Sequence, residues 1–186
     1  MAVSRAVYLL RNASFERHSE QLPNSSPSQL SKGARMRRVD RELSLDETIK
    51  VIENQEYGVL STIGENGYPY GIPLNYAYID GAIYIHGARS GHKIENFSFC
   101  EKVSFTVVGD TEVLPEKFGT NYESAICFGK ISEAVDSEKE KALYSLIEKY
   151  SADYLAEGRE YLAKMTKATR VFKISIESIS GKAKRK

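Results

Sequence analysis

Two of the chain's three histidines, His86 and His92, fall six positions apart in "AIYIHGARSGHKIENF", residues 82 to 97. Residues of this type and spacing serve three chemistries: a metal site, an acid–base pair, or a site for something phosphorylated. A zinc site needs three or four ligands. His86, His92 and Cys100 have no recognised ligand spacing, and His18 lies in a polar tract, so no metal is expected. "RSGHK" suits a phosphate better. Ser90 offers a hydroxyl, Gly91 lets the backbone approach, and Lys93 supplies a point charge. If a helix opens near Ser90, its free N–H groups and dipole favour an anion there. The same letters also fit a Ser90 that merely caps a short helix beside a solvated Lys93, and both readings stay open.

His86 sits in a β-branched run. Alternation places Tyr84 and His86 on one face and Ile83 and Ile85 on the other. With the isoleucines in a core, His86 points into a groove or a subunit interface; a histidine held by a neighbouring hydroxyl is the alternative. "YPYGIPLNYAYI" is a third element. Pro69 and Pro73 cannot donate to a ladder, so one side of this strand is free at those points. Tyr68, Tyr70, Tyr76 and Tyr78 recur at even positions and are expected to share a face. Aromatics beside exposed amides suit a flat heteroaromatic ligand; burial against another subunit is the competing reading. There is no Ser-His-Asp order, G-x-G-x-x-G, Walker loop or paired-carboxylate motif. Redox or group-transfer chemistry here would have to come from a cofactor.

The elements that must position these residues are legible from pattern. Ser44 and Glu47 form a capping box before a helix over residues 45–55, with Leu45, Ile49 and Ile52 as its stripe. "YGVLSTI", "YPYGIPLNYAYI" and "AIYIHGA" read as three successive strands joined by an "ENG" turn and an Asp80-Gly81 hairpin, an antiparallel meander. A short helix over 94–99, the strand "KVSFTVVG" and the long strand "YESAICFGKISEAV" follow, with Gly129 marking a bulge. Ser137 and Glu140 suggest a second capping box, then come helices over "EKEKALYSLIEKY" and "GREYLAKMTKA" and a closing strand, "TRVFKISIESIS". Six antiparallel strands with few helices imply a mainly β fold, a closed β-barrel with flanking helices.

Whole-chain properties limit the function classes. At 186 residues the chain suffices for one domain, and 41% hydrophobic with 27% charged residues is ordinary for a globular protein. A net charge of +1 gives no general field for nucleic acid. No apolar run approaches the roughly 20 residues of a membrane span. Cys100 and Cys127 are too few for a disulfide framework and suit reduced thiols in the cytoplasm. Residues 1–35 read as a disordered extension, with a targeting peptide as the alternative; the domain spans 36–181, and 182–186 form a solvated basic tail.

Together "MRRVDREL", "YGVLST", "GYPYGIPLNYAYIDGAIYIHGARSGHKIEN", "KVSFTVVGDTEVLPEKF" and "YESAICFGK" resemble the Nim-like (5-nitroimidazole resistance) flavoproteins, of the pyridoxamine 5′-phosphate oxidase-like superfamily. The resemblance implies a six-stranded antiparallel split β-barrel of the FMN-binding type. It implies a homodimer with flavin at the interface, FMN as the usual cofactor and FAD in some members. By the same resemblance Pro73, Leu74, Asn75 and Tyr76 lie along the flavin ring, and Ser61 and Thr62 line the site. The loop Gly87, Ala88, Ser90, His92 and Lys93 takes the phosphate, and His86 faces the ring or the substrate as the catalytic residue. The function implied is a flavin-dependent oxidoreductase reducing a small aromatic or nitro compound. A flavin store or sensor, or a relative binding another ligand such as haem, is the rival. No counterpart of the C-terminal arginine motif of true pyridoxamine phosphate oxidases is found, which argues against vitamin B6 oxidation.

Overall fold

The computed structural model of the chain describes residues 36–185; the expectations for residues 1–35 lie outside them. Helix α1 (Leu45–Asn54) opens on the expected capping box. The Ser44 hydroxyl accepts from the Glu47 N–H at 3.3 Å, and the Glu47 carboxylate accepts from the Ser44 N–H at 3.1 Å. Its buried residues are Thr48, Val51 and Ile52, while Leu45 of the expected stripe is exposed. The helix is rotated onto Thr48 because it rests on Gly181, where any Cβ would collide with the Thr48 side chain.

Seven ladder strands follow: β1 (Tyr57–Ile63), β2 (Pro69–Asn75), β3 (Ala77–Ile79), β4 (Ala82–Gly87), β5 (Lys102–Leu114), β6 (Gly119–Ala134) and β7 (Arg170–Lys184). They form one antiparallel sheet in the order β2-β1-β5-β6-β7-β4-β3. The two outermost members, β2 and β3, are successive pieces of one stretch with only Tyr76 between them. The sheet therefore wraps round and meets itself at a kinked strand, a split β-barrel. With β2 and β3 taken as one, the expected six strands are all present.

The expected antiparallel meander over residues 57–87 is present in its pairings, but its middle strand is kinked. β1 pairs with β2, and β3 pairs with β4, but β2 and β4 share no ladder. The physical cause is Tyr76. Its ring is fully buried, lies edge-on to Phe105 at 5.0 Å, and its hydroxyl donates to the Ile52 carbonyl. The Tyr150 hydroxyl grips the same point, accepting from the Tyr76 N–H at 2.9 Å and facing the Tyr76 and Glu56 carbonyls at 2.8 and 2.6 Å. Backbone groups at the break are thereby satisfied without a neighbouring strand.

The interior is filled by alternate residues of each strand, including Leu60, Ile83, Ile85, Phe105, Val107, Cys127 and Ile174. Burying such aliphatic and aromatic side chains stabilises by about 1.5–3 kcal/mol each. The Asp80-Gly81 hairpin has φ of 49° and 79°, the left-handed pair a two-residue turn requires. Helix α2 (His92–Phe99) follows β4. The second capping box does not form: α3 (Asp136–Tyr150) starts one residue before Ser137, straight out of β6, with Val135 at its uncapped N-terminus. α3 covers β3 and β4 through Ala142, Leu143 and Leu146, and α4 (Leu155–Met165) follows it. The expected bulge appears as a register shift between Phe128 and Gly129. The solvated tail is corrected as well. β7 continues through Lys184, pairing Lys182 and Lys184 with Ser124 and Tyr122 while Ala183 is buried, and Arg185 meets Glu47 at 2.8 Å and Glu123 at 3.1 Å.

Candidate functional site

The kink leaves a slot between β2 and the end of β4. The β3–β4 ladder pairs Ala77 with Tyr84. Carried two residues further, that register sets Asn75 opposite His86, and both line one cavity of about 410 Å³ with Tyr57, Pro73 and Leu74. Beyond them the next meeting of the two segments is a ring contact. His92 stands edge-on to Tyr70 with centroids 4.7 Å apart. From Asn75 to Tyr70 the open edge of β2 runs five residues, about 17 Å at strand rise.

What this edge presents follows from its prolines. Pro69 and Pro73 pair with Ile63 and Val59, yet neither has an N–H for the ladder. The odd positions of β2 therefore turn their backbone groups toward the slot. Their side chains, with those of Tyr57, Val59 and Ser61, share the outer face; Ser61 Oγ lies 4.0 Å from where a Cβ on Gly71 would stand.

The phosphate-type residues gather at the next position. A Cβ on Gly87 would stand 2.8 Å from Lys93 Nζ, so the ammonium hangs directly over that glycine. Lys93 is half-buried, and among the described residues no carboxylate lies within 4.0 Å of it. Burial lowers its pKa. Burial also lowers the pKa of His86, and the charge of Lys93 adds to the effect. A half-buried cation held without a counter-charge, beside an exposed imidazole whose pKa is lowered, is an arrangement that an anion would relieve. Ser90 does not cap α2. The N-cap is Gly91 at φ 134°, with no side-chain cap, so the helix N-terminus and the Ser90 hydroxyl remain open among the described residues. Ala88 and Ser90 are exposed in the connecting loop.

The structure thus brings Ser61, Pro73, Leu74, Asn75, His86, Gly87, Lys93 and His92 along one slot. Two expected site residues turn away. Thr62 is buried on the opposite face of β1, where its Oγ1 accepts from Asn96 Nδ2 at 2.9 Å. The Tyr76 ring is in the core, and its backbone N–H and carbonyl are held by the Tyr150 hydroxyl. The shared face of tyrosines fails for the same reason: Tyr68 is 74% exposed and Tyr76 0%. Tyr57 is the lining residue that sequence reasoning missed; strand alternation back from Ser61 through Val59 points to it. A separate outward face of β5 and β6 carries Val108, Ile126 and Phe128, all exposed.

Residues 44–183 match the family described as pyridoxamine 5′-phosphate oxidase, and the chain belongs to that family. No protein of curated function matches the sequence. Among solved structures, an FAD-binding protein of Mesorhizobium loti is 27% identical over 78% of this chain and 98% of its own, with a TM-score of 0.54. A candidate 5-nitroimidazole antibiotic resistance protein of Bacteroides thetaiotaomicron is 22% identical over 76% of this chain and 86% of its own, with a TM-score of 0.63. The FAD and heme binding protein of Mycobacterium smegmatis is 18% identical over 78% of this chain and 74% of its own, at 0.66. The last two likenesses are of fold alone. Among the described residues no helix is long and apolar enough to cross a membrane, and no group of three or more His, Cys, Asp or Glu could hold a metal.

Proposed function

We propose that the slot binds a flavin and that the protein is a flavin-dependent oxidoreductase acting on a small aromatic or nitro compound. The observation that carries this is the Lys93 ammonium over Gly87, half-buried and without a carboxylate among the described residues, at one end of a slot edged by unpaired strand backbone. Family membership supports it, as do relatives whose names state that they bind FAD. A flavin held there would supply hydride and electron transfer. The chain's residues would do the rest. Lys93, His92 and the open N-terminus of α2 would hold the phosphate. The outward backbone of Gly71, Pro73 and Asn75 would face the ring edge, and Ser61 would line its face. His86, kept neutral by its surroundings, would orient the substrate and pass a proton at an imidazole nitrogen. The exposed apolar face of β5 and β6 fits a homodimer contact, and the reduced Cys100 and Cys127 fit a cytoplasmic setting.

The test is the chromophore. Purified protein is expected to be yellow, with a flavin spectrum and a flavin mass on release, and to oxidise NAD(P)H anaerobically with a nitroaromatic acceptor. Colourless protein that takes up neither FMN nor FAD overturns the reading. Flavin without turnover leaves a binding protein instead.

A further inference from the structure

Residues 88–91 connect β4 to α2 and belong to neither. They decide where Ser90, the N-terminus of α2 and Lys93 stand relative to Gly87. A binding loop holds its geometry only as well as the side chains behind it fix it.

The side chain behind this loop is Arg170, the first residue of β7 and the ladder partner of Gly87. Its Nη1 donates to the Arg89 carbonyl at 3.2 Å. The Arg89 guanidinium points back the other way, its Nη2 donating to the Lys167 carbonyl at 3.2 Å. The loop is therefore tied at two points to the segment that leads into β7.

Arg170 is itself held. Its Nε and Nη2 donate to the two carboxylate oxygens of Glu133 on β6, at 2.9 and 2.6 Å. A guanidinium makes this parallel fork and an ammonium cannot. Both side chains are partly exposed, and a pair of that kind adds little to stability. What the fork fixes is direction: it aims Nη1 at the Arg89 carbonyl. The guanidinium also lies 4.9 Å from the centroid of the Phe172 ring. That ring is buried and stands edge-on to Phe97 of α2 at 5.0 Å. Phe97 is one turn along α2 from Lys93, on the same face. One frame, made of Glu133, Arg170 and Phe172, thus fixes both the loop before Lys93 and the helix turn after it.

We propose that Arg170 is a positioning residue: clamped by Glu133, it sets the loop between β4 and α2 so that Lys93 meets the phosphate of the bound ligand, without touching the ligand itself. The inference rests on the flavin reading of the slot.

Arg170→Lys keeps the charge and loses the fork. Fluorescence titration of flavin-free protein with FMN and with riboflavin tests the clamp, in wild type, Arg170→Lys, Lys93→Ala and the double variant. Arg170→Lys is expected to melt as wild type does and to bind FMN about tenfold more weakly, the lower end of what one charge-assisted contact contributes. Riboflavin, which has no phosphate, should bind both alike. In the Lys93→Ala background the same substitution should weaken FMN binding by about twofold or less, because the group it positions is gone. Wild-type affinity for FMN in Arg170→Lys overturns the clamp. So does an equal loss for riboflavin, which would make Arg170 a general prop. A loss that persists in full without Lys93 overturns it too, since Arg170 would then act on its own account. Wild-type protein that binds neither flavin overturns the flavin reading, and the role of Arg170 with it.

Discussion

The Lys93 ammonium occupies the space that a side chain on Gly87 would fill: a Cβ there would stand 2.8 Å from Nζ and 2.9 Å from Cε. The obstacle is the far end of a flexible chain, so Gly87→Ala is expected to keep the fold and its melting temperature while pushing the ammonium aside. Flavin affinity should fall. Lys93→Ala removes the charge altogether, a contact worth about 1.5–3 kcal/mol, or roughly 10- to 150-fold in Kd. Flavin titration of both variants checks this; wild-type affinity in Lys93→Ala would remove the phosphate assignment.

His86 carries a pKa lowered first by burial and then by Lys93. Its ring should therefore titrate below the ordinary value of about 6.5, as read from its Cε1 proton by NMR. Lys93→Gln should raise that pKa part of the way back, since burial remains. The unfolded chain binds the proton first as pH drops through about 6.5, so His86 contributes a loss of stability only below that pH. A titration at or above the ordinary value would contradict the partial burial and the nearby Lys93 charge.

Tyr150 holds the strand break at Tyr76 with one hydroxyl. Tyr150→Phe leaves the Tyr76 N–H without that acceptor and should cost about 1–3 kcal/mol in chemical denaturation. The same variant should loosen Asn75, one residue from the break, and so weaken ligand binding. Unchanged stability would mean that the kink is fixed by Tyr76 packing alone.

The two thiols should behave differently. Cys127 is fully buried, and burial pushes its pKa up to about 12, so it is expected to resist a thiol reagent at pH 8 until the protein unfolds. Cys100 is partly exposed and should be modified in the native state. A Cys100→Ser variant isolates the slow thiol; rapid labelling of that variant would show that the barrel opens far more often than its core suggests.

Much of this architecture is legible in the sequence because local pattern and burial agree. Val103, Phe105 and Val107 point inward and Ser104 and Thr106 do not, as alternation requires. His86 and its isoleucine neighbours fall on the faces that alternation assigns them. The kink is not legible. Four tyrosines at even positions read as one flat strand, and what breaks it is a hydroxyl 74 positions away in sequence. Thr62 is misplaced for a simpler reason: Ser61 and Thr62 are adjacent, so only one of them can face the slot. The Ser137 cap fails because a helix that leaves a strand directly gives its first turn to Asp136. The nearness of Lys93 to Gly87 depends on how α2 folds back over β4, which no spacing rule encodes.

Pro69 and Pro73, which turn the backbone of β2 toward the slot, also bear on self-association. An unpaired strand edge is a template for a strand from another molecule. Each proline removes one N–H from that template. Pro73→Val would restore a donor and is expected to raise light scattering of the flavin-free protein. The edge that admits a ligand is thus guarded against amyloid-like extension by its own sequence, whether or not a ligand is bound.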